Sequence, residues 1–150
     1  MTGRALAIRR QNAQLLEKQA ELQLAETVFE NTAEAIVVTD ASGIVISVNP
    51  TFSRITGYSL SDVRGRKMNL LSSGEQPPDF YRELWRQLLA ERQWQGEMIN
   101  RRKDGELYTE LLTITAVSDS QGTVVQYVGT FSDITDKIAA RQRIEFMAYH

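Results

Sequence analysis

The 150-residue chain contains no cysteine. Disulfides, thiolate nucleophiles, Cys-bound zinc and adducts to a cysteine sulfur are therefore all excluded. The single histidine is the last residue, His150. His-based acid–base chemistry and His-ligated metal are thus absent from the interior, leaving only carboxylates for a hard cation. Long hydrophobic runs are missing too. The apolar stretches span a handful of residues, against the ~20 needed to cross a bilayer, and no signal-peptide pattern is present. The segment reads as cytoplasmic, with any membrane anchor lying outside it. Charge of one sign is not in excess either. A net charge of −2 gives no field to attract nucleic acid or an anionic membrane. What is present, 42% hydrophobic and 24% charged residues, suits one globular domain with some helical extension rather than two full domains.

Residues 1–31 contain no proline, carry glycine only at Gly3, and are rich in Ala, Leu, Gln, Glu and Arg. These are good helix formers, and the segment is expected as one long helix. Ile8, Leu15, Leu22 and Phe29 recur every seven residues, as one seam of a coiled coil does. The second seam is polar, so the alternative is an amphipathic helix lying on its own domain.

From residue 32 to about 135 the pattern changes to short strands separated by turns. AIVVT and IVISV flank Asp40-Ala41-Ser42-Gly43 as a hairpin. Two helical turns end at Gly57 and Gly65, and Asn49-Pro50 marks a helix start. Phe80, Leu84, Trp85, Leu88 and Leu89 fall at helical spacing over about 79–92, and Trp85 reads as core or, alternatively, as a helix Trp lining a cavity. Three strands follow at 94–102, 107–118 and 123–134. Residues 136–150 form a second terminal helix. The fold class is α+β: a five-stranded antiparallel sheet with helices on one face, flanked by N- and C-terminal helices.

The register of the hairpin at Lys103-Asp104-Gly105 decides which side chains face inward. A two-residue turn places Asn100 among threonines. A three-residue loop with Gly105 left-handed instead places Trp94, Gly96, Met98, Asn100, Tyr108, Glu110, Leu112 and Ile114 on one face. The second register sorts apolar from polar and is the expected one. It buries Asn100 and Glu110, which need partners, since an unsatisfied buried polar group costs ~1–3 kcal/mol. Either they bond to each other, to helix backbone or to trapped water, or they face a cavity and the polar edge of a small molecule. Gly96 is expected to leave room beside Trp94 for a flat ring to stack. Arg101, Arg102 and Lys103 read as a solvated hairpin tip. Asp40, Asp62, Glu97 and Glu110 show no acid–base pairing, so the segment is not expected to be an enzyme, and no metal site is expected.

VVTDASGIVISVNPTFSRITGYSLSDVRGR, WQGEMINRRKDGELYTE and YVGTFSDIT together resemble the PAS sensor domain over about residues 27–135. The resemblance implies the PAS sheet with helices on its concave face. The order WxGExxNRRKDGxxY is similar to flavin-binding PAS redox sensors of nitrogen-fixation and methane-oxidation regulators. That similarity implies FAD as a cofactor, with Trp94 and Asn100 at its ring. In the light-sensing LOV branch Asn100 and Glu110 match flavin contacts, the second being Asn there. Met68 stands where that branch has its photochemical cysteine, so no flavin–thiol adduct can form here.

Asp133 and Thr135 match the family's DIT motif, which implies a role in passing conformational change to the outgoing helix. IEFMAYH resembles the linker leading into GGDEF diguanylate cyclase domains, with His150 a linker residue. A histidine-kinase linker is the alternative, and there His150 would resemble a phosphoacceptor. The resemblance implies a sensory and dimerisation module of a cyclic-di-GMP signalling protein: a homodimer with an output domain in the same chain. A ligand-free dimerisation module is the competing expectation.

Overall fold

The computed structural model describes residues 2–149, so both expectations for His150 fall outside the described residues. The chain divides after Thr32 into two compact units. The first is helix α1, Gly3–Asn31, whose N-cap Thr2 accepts a hydrogen bond from the Ala5 amide at 3.2 Å. Past Gly3 it holds neither glycine nor proline, which is why nothing interrupts it. The stripe Ile8, Leu15 and Leu22 lies exposed along it.

The second unit is built on an antiparallel sheet of strands β1 (Ala35–Asp40), β2 (Val45–Val48), β3 (Gln93–Arg101), β4 (Leu107–Ser118) and β5 (Val124–Asp133). The spatial order is β2-β1-β5-β4-β3. Between β2 and β3 the chain forms α2 (Pro50–Thr56), α3 (Leu60–Val63), a 3-10 turn (Met68–Leu71) and α4 (Phe80–Glu91). Phe52, Val63, Leu84 and Leu88 bring these segments into one core with Val37, Tyr108, Leu112 and Phe131 of the sheet. After β5 the chain enters α5 (Thr135–Tyr149). No helix among the described residues is long and apolar enough to cross a membrane.

Two local devices fix this layout. Asn49, fully buried, caps α2 by accepting from the Phe52 amide at 3.0 Å; it also accepts from Ile36 at 2.8 Å and donates to the Glu34 carbonyl at 3.0 Å. One side chain thereby ties α2 to β1. The β3–β4 hairpin uses the three-residue loop. Arg102 N donates to the Glu106 carbonyl at 2.8 Å, Gly105 N to the Arg102 carbonyl at 3.0 Å, and Gly105 has φ 94°. Asn100 is consequently opposite Tyr108, and Trp94, Met98, Asn100, Tyr108, Glu110 and Leu112 are all buried.

Candidate functional site

Alternation along β3 and β4 turns even-numbered side chains toward the helices. The 3-10 turn and α4 do not close completely over them. A cavity of about 480 Å³ remains, within the ~300–1,000 Å³ typical of small-molecule sites. Its walls are mainly apolar, with Val37, Leu71, Leu84, Leu88, Leu112 and Phe131 among them. Met68 and Met98 add flexible thioethers. The mouth includes Ser42, Lys67 and Ser72, all exposed.

The inner polar end is made by Asn100 and Glu110, which are 5% and 2% exposed. Asn100 Nδ2 donates to Glu110 Oε1 at 2.7 Å, and the Tyr108 hydroxyl donates to the same oxygen at 2.8 Å. The two alternatives posed by the sequence therefore coexist: Asn100 and Glu110 satisfy each other and also line a cavity. Burial pushes the Glu110 carboxyl up to about 7, with hydrogen bonds from Asn100 and Tyr108 acting against it and the charge of Asp133 adding to it. Burial likewise pushes the Tyr108 hydroxyl far above its ordinary range, so it stays a donor.

Three of the expected cofactor contacts, Met68, Asn100 and Glu110, thus line one cavity. Trp94 is placed differently. It is buried, its ring meets Phe80 edge-on at 5.7 Å, and it is not part of the cavity lining. The room expected over Gly96 is filled by Trp94 itself: a Cβ on Gly96 would lie 2.7 Å from Trp94 Cζ2 and 2.8 Å from Cη2. Gly96 is required by the indole, not by a bound ring. Of the two readings of Trp85, lining the cavity is the one observed: it is 44% exposed, meets Tyr127 edge-on at 5.6 Å and borders the cavity rather than filling the core.

Asp133 and Thr135 meet at the start of α5. Asp133 Oδ1 accepts from the Thr135 amide at 3.0 Å and from its hydroxyl at 2.5 Å, while Thr135 Oγ1 accepts from the Thr109 amide at 3.0 Å. Arg102 corrects the picture of a solvated hairpin tip. Its guanidinium donates to Asp133 Oδ2 at 2.7 Å and to the Ile55 carbonyl at 2.7 Å, and lies 4.6 Å from the centre of the Tyr108 ring. Burial alone would raise the Asp133 carboxyl; the Thr135 and Arg102 hydrogen bonds outweigh it and hold Asp133 below its ordinary range. Lys103 is anchored as well, its amide on the Thr56 carbonyl and its ammonium 3.1 Å from Asp62. Arg101 and Lys103 are both exposed, and Arg101 donates to the Gly105 carbonyl at 2.8 Å.

Comparison with known proteins gives the family. A nitrogen fixation regulatory protein of Klebsiella oxytoca is 38% identical over 118 residues, which cover 79% of this chain and 24% of that protein. Blue-light-activated histidine kinase 1 of Erythrobacter litoralis is 31% identical over 101 residues, 67% of this chain and 28% of that protein. The chain thus spans about a quarter of the length of these curated relatives. Among solved structures, an RNA-binding light-oxygen-voltage receptor superposes with a TM-score of 0.73 at 25% identity, over 85% of this chain and 36% of that one. The family model for the PAS fold matches residues 23–134. This chain belongs to the PAS fold family, as a sensory module of the kind found in signalling proteins.

Proposed function

We propose that the cavity holds a flavin, FAD in the first instance, and that its state is passed through β4 and Arg102 to α5 and an output domain in the same polypeptide. The observation that carries this is the cavity itself: about 480 Å³, mainly apolar, with one polar end at Asn100 and Glu110. An apolar cavity with a few polar groups at one end suits a ring with a polar edge. Light-sensing structural neighbours and a blue-light-activated relative support a flavin. When bound, a flavin supplies reversible redox chemistry and visible absorption. In this chain Asn100 and Glu110 would hold the polar edge, and Met68 and Met98 would pack against apolar parts of the ring. Trp94 would act by packing, across from Ile114, which lines the cavity. Asp133 and Thr135 would pass the change onward, and α1 and α5 would pair two copies as a homodimer.

The output domain has two candidates. IEFMAYH resembles a linker into a GGDEF domain and favours cyclic-di-GMP output. The blue-light-activated kinase relative favours a histidine-kinase output equally. In both cases this segment regulates and does not catalyse. The test is the visible spectrum after incubation with excess FAD and desalting. Flavin bands that survive desalting in the wild type and vanish in Asn100→Ala are expected. A colourless desalted protein refutes flavin binding and leaves a dimerisation module.

A further inference from the structure

At the inner end of the cavity two hydrogen-bond donors, one N–H of the Asn100 amide and the Tyr108 hydroxyl, are turned onto Glu110. Glu110 Oε1 receives both the Asn100 amide and the Tyr108 hydroxyl. An ionised carboxylate only accepts, so Asn100 must turn its NH2 toward Glu110 and not its carbonyl. Asn100 Oδ1 and Glu110 Oε2 are left without a hydrogen-bonding partner among the described residues. No fully shielded side-chain oxygen or nitrogen among those residues lacks a partner. Both oxygens are therefore open to the cavity that their residues line, and both are acceptors. Among the lining groups that could donate, Lys67 and Ser72 are solvent-exposed at the mouth.

We propose that Glu110 sets ligand specificity: the cavity selects a flat, uncharged heteroaromatic that turns an N–H donor toward Asn100 and Glu110, and discriminates against the same ring with that nitrogen methylated. This deepens the flavin proposal and rests on it only for the identity of the ring. A methylated ring leaves a buried acceptor without its donor, and a site built for a donor discriminates against such an analogue more sharply than an apolar pocket does. An anionic edge is refused by the carboxylate. The groups facing Glu110 are Asn100 and Tyr108, with Asp133 further off and Arg102 on the Tyr108 ring. Because burial brings Glu110 to about 7, acidification converts Oε2 into a donor, and the preference for N–H fades below that pH.

The experiment uses two matched pairs of probes: lumiflavin with its N3-methyl derivative, and 4-quinazolinone with its N3-methyl derivative. Each is titrated into the full chain and into Glu110→Gln, above and below about pH 7. In the wild type above that pH the N–H member is expected to bind at least about tenfold more tightly than its methylated partner. In Glu110→Gln the carboxamide oxygen must still receive Asn100 and Tyr108, so its NH2 faces the cavity. There the ratio is expected to fall to unity or below at every pH. Equal wild-type affinity within a pair, or a ratio unchanged in Glu110→Gln, overturns the proposal; so does a failure of both pairs to bind. If the quinazolinones are discriminated and no flavin is retained, flavin binding alone is refuted and the selection by Glu110 stands.

Discussion

Replacing Glu110 by Gln should remove a defined slope from the pH dependence of stability. In the folded protein the Glu110 carboxyl is pushed from 4.5 up to about 7, chiefly by burial. Unfolding returns it to water and to its ordinary value. Between these two pH values the folded state holds a proton that the unfolded chain has released, so stability falls as pH rises through the interval. The rate is about 1.4 kcal/mol per pH unit, which gives about 3 kcal/mol over the interval and no further loss above it. The contribution is present in acid and lost toward alkaline pH, opposite in sign to that of Asp133, whose depressed carboxyl stabilises at neutral pH and is lost in acid. Gln keeps an oxygen for Asn100 and Tyr108 but carries no proton to lose. Urea unfolding of both proteins, followed by tryptophan fluorescence across pH, isolates the effect, because every other titrating group is shared and cancels in the difference. Glu110→Gln is expected to gain on the wild type by about 3 kcal/mol between about pH 4.5 and about pH 7. A flat difference, or a wild type that gains on the variant as pH rises, would show that Glu110 is neither dry nor proton-bearing, and the reasoning would fail.

Gly96→Ala should cost about 1–3 kcal/mol, because its Cβ would enter the Trp94 ring at 2.7 and 2.8 Å and the buried indole has Phe80 against it. An unchanged melting temperature with unchanged tryptophan emission would refute that packing. Arg102→Leu removes the donors to Asp133 and Ile55 and the cation over Tyr108, leaving Asp133 Oδ2 without its guanidinium close to the start of α5. A loss of about 1–3 kcal/mol is expected, together with faster hydrogen exchange at the Thr109, Ile134 and Thr135 amides than in β1. Exchange at those amides equal to wild type would mean that Arg102 does not hold the α5 junction.

The sheet was legible because one hairpin left only one register that sorts its residues. Moving the turn by one residue exchanges Tyr108, Leu112 and Ile114 for threonines, and hydrophobic burial decides between the two. Asn100 and Glu110 stood out by the same logic, as polar groups on an apolar face. What alternation does not carry is how a side chain bends after it leaves the backbone. Trp94 and Gly96 share a face as expected, yet the indole lies over the glycine and uses the space that a ligand was expected to take. Trp85 sits at helical spacing with Leu84 and Leu88, but only those two reach the core; spacing gives the stripe and not its width. Arg102 was hidden most deeply. In sequence it is one of three consecutive cations, and its partners Ile55 and Asp133 lie 47 and 31 residues away. No local pattern could pair them before the topology brought β3, α2 and the end of β5 together.

That topology explains why the proposed transmission needs no distant route. Residues 108–110 of β4 face two ways because a strand alternates. Tyr108 and Glu110 point inward, where they meet each other and the cavity end. Thr109 between them points outward, its carbonyl accepting from Ile134 at 2.8 Å and its amide donating to Thr135 at 3.0 Å. The cavity and the first turn of α5 are thus attached to three consecutive residues, and Arg102 closes the link from the Tyr108 ring to Asp133. A ligand that takes up Oε2, or a proton that neutralises it, changes the charge that Tyr108 donates to. Tyr108 carries Arg102 on its ring, and Arg102 bridges Ile55 and Asp133 through its two terminal nitrogens. A change at Glu110 therefore bears on the α5 junction through one ring and one guanidinium, and a loss of exchange protection confined to that junction is how it would be seen.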